Sequence, residues 1–212
     1  MAVSGLALTA FAITHLTGNL VIYLGQETFN GYSKKLRDLG MLLWLARGVL
    51  LAALVVHVWS AVQLSRENRR ARPVPYRRRT EVQTTLAAKI MMVTGLLLLA
   101  YIVYHVMHFT FRVTDPLLAH LTFHGGHDTY TMVVRGFQRW PVSCVYIAAM
   151  GMLCLHLSHG LASSFQSLGL NNERTLPVLR RVSYAVAIAL FLGYSSVPVA
   201  VLSGWLRAPG GF

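Results

Sequence analysis

The residues best suited to chemistry in this chain are its histidines. There are nine among 212 residues. His120, His124 and His127 lie in a mixed polar stretch, whereas His15, His57, His105, His108, His156 and His159 lie inside long apolar runs. An imidazole can ligate a metal, carry a proton or bond two helices together. Any one of the six, taken alone, reads as a helix-to-helix hydrogen bond. At least one in each of four successive apolar runs is the pattern of a cofactor held between helices. An ionisable group in such a run is costly and is a functional candidate by default. The two cysteines, Cys144 and Cys154, are ten residues apart in one apolar run and cannot pair on a helix. No cysteine pair of the metal-binding type is present.

The elements that must carry these histidines are membrane spans. Hydrophobic residues make up 55% of the chain, charged residues only 12%, and the mean hydropathy is +0.52. A hydrocarbon core of ~30 Å needs about 20 helical residues, and five apolar blocks meet that length. They run over about 2–24, 40–64, 86–111, 140–166 and 182–205. The stretches between them, among them GQETFNGYSKKLRD, SRENRRARPVPYRRRTE and LGLNNERTLPVLRR, read as loops. The first block lacks a basic start and reads as a full span rather than a cleaved signal. The expected fold is an all-α membrane protein of one domain over 1–212, with five transmembrane helices, four of them forming the bundle that bears the histidines.

Charge sets the expected orientation. The formal net charge is +12, which in a soluble chain would raise nucleic acid as a partner. Here the basic residues sit in short loops between apolar blocks, so they read as orientation signals and not as a nucleic-acid surface. Arg66, Arg69, Arg70, Arg72, Arg77, Arg78, Arg79 and Lys89 flank the loop between spans two and three, and Arg174, Arg180 and Arg181 precede span five. The positive-inside rule puts both loops in the cytoplasm, with the N-terminus inside and the C-terminus outside. The outer loops hold Lys34, Lys35, Arg37, Arg112, Arg135 and Arg139.

Depth then sorts the histidines. Spans one and three run outward, placing His15 and His105 toward the outer face. Spans two and four run inward, placing His57 and His156 toward the inner face. At 1.5 Å per residue His57 lies ~10 Å from the inner boundary and His105 ~9 Å from the outer one. A b-type haem takes two axial imidazoles, one on each face of a flat ring, so His57 and His105 cannot share one. The consistent pairs are His15 with His105 and His57 with His156, giving an outer and an inner haem b. His108 and His159 lie one turn from His105 and His156, on roughly the same face. Either member of each couple can be the ligand, with His105 and His156 preferred. The other would bond a propionate, a quinone or a helix.

At this point the residues resemble a known family, the membrane-anchoring cytochrome b subunit of succinate dehydrogenase and fumarate reductase in its single-chain, five-helix, two-haem form. ITHLTGN resembles the first ligand segment, WLARGVLLAALVVHVWSAVQL the second, YIVYHVMHF the third, and YTMVVRGFQRWP with LHLSHGLASSFQSLG the fourth. The resemblance covers nearly the whole chain and places the four ligands on His15, His57, His105 and His156. It implies an inner, cytoplasmic membrane location and partner flavoprotein and iron–sulfur subunits on the cytoplasmic face. Succinate oxidation would occur in the flavoprotein. This chain would be the quinone-reactive subunit, passing electrons between iron–sulfur clusters and a quinone, menaquinone in many two-haem members.

Further residues have expected roles. Arg47 lies seven residues into span two and either snorkels to the interface or pairs with a propionate of the outer haem. Quinone reduction takes up protons, for which Glu27, Asp38 and the loop histidines are outer candidates, and Ser4, His159 and Glu81 inner ones. Gly5, Gly18, Gly48, Gly95, Gly151 and Gly160 permit close approach of a helix or a porphyrin. Two other classes compete with this expectation: a haem-free transporter whose histidines relay protons, and the cytochrome b anchor of another respiratory enzyme such as a hydrogenase or formate dehydrogenase.

Overall fold

The computed structural model describes residues 1–71 and 85–209. Arg72, Arg77, Arg78, Arg79 and Glu81 lie outside the described residues. Eight α-helices follow in chain order: α1 (Ala2–Leu20, continued by a 3-10 turn over Val21–Leu24), α2 (Gln26–Asp38), α3 (Met41–Arg70), α4 (Leu86–Lys89), α5 (Met91–His105, continued by a π-helical turn over Val106–Thr110), α6 (Thr129–Gln138), α7 (Trp140–Ser167) and α8 (Thr175–Leu202). Five of these segments are long and apolar enough to cross a membrane: Ala2–Leu24, Met41–Arg70, Met91–Thr110, Trp140–Ser167 and Thr175–Leu202. The chain is in this sense a multi-pass, helical membrane protein.

Several boundaries differ from the hydropathy blocks. Helix α3 runs six residues past Leu64 into the basic stretch, because Gln63 donates to Glu67 across one turn at 3.0 Å and Arg69 and Arg70 complement the carbonyl end of the helix. Arg66, Arg69 and Arg70 are therefore helical, not loop residues. Helix α8 starts seven residues before Val182. The side chain of Asn172 accepts from the backbone N–H groups of Arg174 and Thr175, each at 2.9 Å, and so satisfies donors at the helix start. The third span is broken at Ile90 into α4 and α5.

The larger correction concerns the polar stretches at the other end of the bundle. GQETFNGYSKKLRD is a helix, α2, and the stretch between spans three and four contains a two-stranded hairpin (β1, Thr122–Phe123; β2, Gly126–His127) and helix α6. Both helices are amphipathic rather than apolar. Phe29 and Asn30 are buried in α2, and Tyr130, Met132, Val134 and Phe137 in α6. Together with Ile22, Tyr146, Val197, Ala200, Val201 and Leu206 the aromatic and aliphatic members form one core cluster that caps the bundle.

A buried carboxylate ties this cap together. Asp128 caps α6 by accepting from the backbone N–H of Thr131 at 3.0 Å. It also accepts from Asn30 Nδ2 at 2.9 Å and Gln26 Nε2 at 2.7 Å, both on α2. Asn30 Oδ1 in turn accepts from the N–H of Tyr130 at 2.9 Å. Burial by itself would raise the Asp128 pKa, but the bonds from Asn30, Thr131 and Gln26 outweigh it and hold the carboxyl below its ordinary value.

Inside the bundle α7 packs along α8, while α1 touches α3, α7 and α8, and α5 touches α7. Helix α3 packs chiefly on α1 and has no buried residue over its 30 positions. The end that carries Met1, the last turns of α3 and α7 and the first turns of α5 and α8 is the arginine-rich end, and the opposite one is the capped end.

Candidate functional site: two histidine pairs at two depths

Four helices bring their histidines together in two pairs. The ring centroids of His15 (α1) and His105 (α5) are 6.0 Å apart, with the planes at 80°. Those of His57 (α3) and His156 (α7) are 6.3 Å apart, with the planes at 64°. Two imidazoles bound to opposite sides of one metal ion put their ring centres ~6.4 Å apart, from two metal–nitrogen bonds of ~2.0 Å and ~1.2 Å from nitrogen to ring centre. The His57–His156 separation lies within ~0.1 Å of that figure and the His15–His105 separation within ~0.4 Å. The described residues contain no group of three or more metal-ligating side chains, and a haem iron needs only two.

The pair nearer the arginine-rich end is held by hydroxyls. Thr94 Oγ1 is 3.1 Å from His156 Nδ1 and 3.0 Å from the carbonyl of Met91. Ser4 Oγ is 3.5 Å from His57 Nδ1 and 2.9 Å from the carbonyl of Met1. With Nδ1 occupied in both rings, Nε2 is the nitrogen left for a ligand. Each hydroxyl is followed by a glycine pressed against the ring. A Cβ on Gly5 would meet His57 Cε1 at 3.2 Å, and one on Gly95 would meet His156 Cε1 at 3.3 Å. The close approach that these two glycines permit is to an imidazole.

The pair nearer the cap sits in an aromatic setting. His15 stacks on Phe11 at 5.2 Å and lies 6.1 Å from Tyr194, whose hydroxyl donates to the carbonyl of Ala12 at 2.7 Å and so ties α8 to α1. His105 is flanked by Tyr101, Phe109 and Tyr146 at 5.8 to 6.0 Å. Its Nδ1 is buried and has no hydrogen-bond partner among the described residues. An unpartnered buried ring nitrogen is expensive in an apolar setting, and the donor sets of both pairs fit a bis-imidazole haem.

His108 and His159 are engaged elsewhere. His108 Nδ1 bonds the hydroxyl of Tyr146 at 3.0 Å, and the residue is 3% exposed. The π turn, marked by the bond from the Phe111 N–H to the Val106 carbonyl at 2.9 Å, widens the helix here and turns His108 toward α7. His159 Nε2 is 3.0 Å from Ser163 Oγ on its own helix. Arg47 is exposed, with its guanidinium 4.9 Å from the centre of the Trp44 ring.

Of the expected proton groups, Glu27, His120 and His124 are exposed, and Asp38 is paired with Lys34 at 2.6 Å. His127 accepts from Arg112 Nη1 at 3.1 Å. Burial first, and then the Arg112 guanidinium, hold its pKa below the ordinary histidine value. Two surface clefts, one lined by Met1, Trp59, Ser60, Gln63, Leu64 and Glu67 and the other by Thr14, Thr17, Gly18, Val21 and Tyr32, contain no histidine.

One feature of the site escapes a reading of single residues. His15 follows Ser4 by 11 residues, and His105 follows Thr94 by the same 11. The pattern hydroxyl, glycine, nine residues, histidine therefore occurs on α1 and again on α5. Each of these helices supplies the hydroxyl seat for a histidine of the pair nearer the arginine-rich end (the lower pair) and a member of the pair nearer the cap (the upper pair). The spacing was visible in the sequence, but the seated histidines are on other helices. Comparison with family models, curated proteins and solved structures returns no match to this chain.

Proposed function

We propose that the chain is a dihaem cytochrome b, the membrane anchor of a succinate:quinone oxidoreductase. His15 and His105 would hold one b haem, and His57 and His156 the other. The observation that carries the proposal is the pairing itself: two histidine couples from four different helices, at 6.0 and 6.3 Å, the spacing of two ligands across one iron. A b haem held there supplies a one-electron couple between ferric and ferrous iron.

The chain's own residues do the rest. Thr94 and Ser4 orient the imidazoles of the arginine-rich end, and Gly5 and Gly95 let those rings seat against backbone. Along α1, Ser4 to His15 spans 11 residues, so the two levels lie ~16 Å apart along the helix axis. Helix α3 buries none of its residues against protein, which leaves the apolar surface beside His57 to a porphyrin and lipid. Tyr101, Phe109, Tyr146 and Tyr194 close the upper pair.

The arginine-rich end is the cytoplasmic face by the positive-inside rule, with Arg66, Arg69, Arg70, Arg174, Arg180 and Arg181 on α3, α8 and the turn before it. The N-terminus would then be cytoplasmic, and by family resemblance the flavoprotein and iron–sulfur partners would dock on the same face of the cytoplasmic membrane. His57 and His156 would hold the haem nearer the iron–sulfur partner and His15 and His105 the other, and the chemistry the bound groups would supply is one-electron transfer between that partner and a quinone, menaquinone by family resemblance.

A reduced-minus-oxidised spectrum and a pyridine extract of the purified protein test the proposal. About two b haems per chain are expected from four ligands taken two at a time. Protein colourless in the Soret region overturns it and leaves a haem-free membrane protein. Co-purification of a flavoprotein and an iron–sulfur subunit separates this anchor from those of other respiratory enzymes.

A further inference from the structure

We infer that the dipeptides Ser4-Gly5 and Thr94-Gly95 are a matched pair of seats that fix the orientation and electron-donating strength of His57 and His156, and thereby lower the reduction potential of the haem at the arginine-rich end. The inference rests on the dihaem reading above and adds to it the residues that tune one haem and not the other.

The direction of each hydrogen bond follows from counting protons. A hydroxyl has one hydrogen to give and two lone pairs to offer. Thr94 lies 3.0 Å from the Met91 carbonyl, which can only accept, so both of its contacts are satisfied at once only when its hydrogen goes there. The contact of 3.1 Å to His156 Nδ1 then requires the imidazole to donate. Ser4 spends its hydrogen on the Met1 carbonyl at 2.9 Å, and His57 Nδ1 donates to it over 3.5 Å. His156 is thereby set as the Nδ1–H tautomer with a free lone pair on Nε2, and the longer, weaker contact at Ser4 favours the same tautomer of His57.

The glycines complete the seats. A Cβ on Gly5 would stand 3.4 Å from His57 Nδ1 as well as 3.2 Å from Cε1, and one on Gly95 would stand 3.3 Å from His156 Cε1. At 3.2 to 3.3 Å the ring would have to give way, carrying Nδ1 off its hydroxyl. The same two-residue device thus occurs twice, on different helices, against the two histidines of one pair. The upper pair differs, since His105 Nδ1 is buried without a partner among the described residues.

A ligating imidazole whose remote N–H is hydrogen-bonded is a stronger donor to its metal. Stronger donation favours ferric over ferrous iron and lowers the potential, one of the levers a protein has over a haem. The seats act on the lower haem alone. The Thr94 bond is the shorter, so Thr94 has the larger share.

The test is a spectroelectrochemical titration of the intact complex carrying Thr94→Val, Thr94→Ser or Ser4→Ala. Valine keeps the shape of threonine and removes the hydroxyl. Thr94→Val is expected to raise the midpoint potential of the haem that His156→Ala removes, with the other haem unmoved. Thr94→Ser restores the wild-type value, and Ser4→Ala gives a smaller rise. Loss of that one haem in Thr94→Val, rescued by Thr94→Ser, supports the same positioning role. Two haems with both potentials unchanged in Thr94→Val and Ser4→Ala overturn the inference and leave the dihaem reading standing. Shifts of both haems together also overturn it. Wild-type protein without haem defeats the dihaem reading instead.

Discussion

His156→Ala is the sharpest perturbation of the proposed site. The wild-type ring centres of His156 and His57 are 6.3 Å apart, within ~0.1 Å of the ~6.4 Å that two bonds to one iron require. Alanine removes one of the two imidazoles that would hold that haem. The upper pair lies ~16 Å away along α1 and α5 and keeps its own ligands. Haem content is therefore expected to fall from about two per chain to about one. His57→Ala removes the other half of the same site, so it must cost the same haem. The double variant must lose no more than either single one, because full coupling is the signature of two residues acting on one group. If the haem is present at ~1,000 times its dissociation constant, its loss also removes ~4 kcal/mol of stability through mass action. Pyridine extracts per chain, with difference spectra of each variant, measure the first quantity, and thermal unfolding in detergent the second. Spectra in which His57→Ala and His156→Ala remove different haems, or a double variant with less haem than either single one, would refute the pairing.

Two other predictions concern residues around the site. Asp128→Ala leaves Asn30, Gln26 and the Thr131 N–H without their acceptor and removes the cap of α6, for an expected loss of about 2–4 kcal/mol in thermal or denaturant unfolding. Because the folded state holds the Asp128 carboxyl below its ordinary value, the unfolded chain binds that proton more readily. This contribution to stability is whole above pH ~4 and is lost as pH falls through the folded value. An Asp128→Asn variant should lack that step in its pH–stability profile. His108→Phe removes the 3.0 Å bond to Tyr146 and is expected to cost about 1–2 kcal/mol while both haems stay in place. A haem lost in His108→Phe but retained in His105→Ala would move the ligand by one turn.

The spans were legible because their apolar residues come in blocks, and block length needs no knowledge of tertiary contacts. Helix α2 was not, since Phe29 and Tyr32 are too few to register against Lys34, Lys35 and Arg37. Its helicity depends on burial of Phe29 and on the bonds of Gln26 and Asn30 to Asp128, 98 or more residues away. Helix α6 carried a local signal, an Asp128 cap ahead of apolar residues at helical spacing, but its run of ten residues was too short to register as a span. The extension of α3 through Arg70 was hidden by its charge, although Gln63 and Glu67 at helical spacing pointed to it. The histidine pairs were legible in depth alone, from helix direction and rise per residue. The π turn that carries His108 to Tyr146 depends on packing against α7 and had no sequence marker.

The vertical arrangement of the site is set by single helices rather than by contacts between them. On α1 the seat at Ser4 and the imidazole of His15 are 11 residues apart. At ~100° per residue that interval ends ~20° past three full turns, so both side chains leave the helix on one face. The same holds for Thr94 and His105 on α5. Helices α3 and α7 then need to deliver only one imidazole each, at the level of the seats. A single alanine inserted between Phe11 and Ala12 tests this division of labour. It turns His15 by ~100° relative to Ser4 and displaces it by ~1.5 Å, so α1 can satisfy the lower level or the upper one but not both. Haem content should fall from about two to about one per chain, with the surviving haem identified by its response to His156→Ala. Retention of both haems after the insertion would mean that neighbouring helices, and not the rise of α1, set the depth of each level.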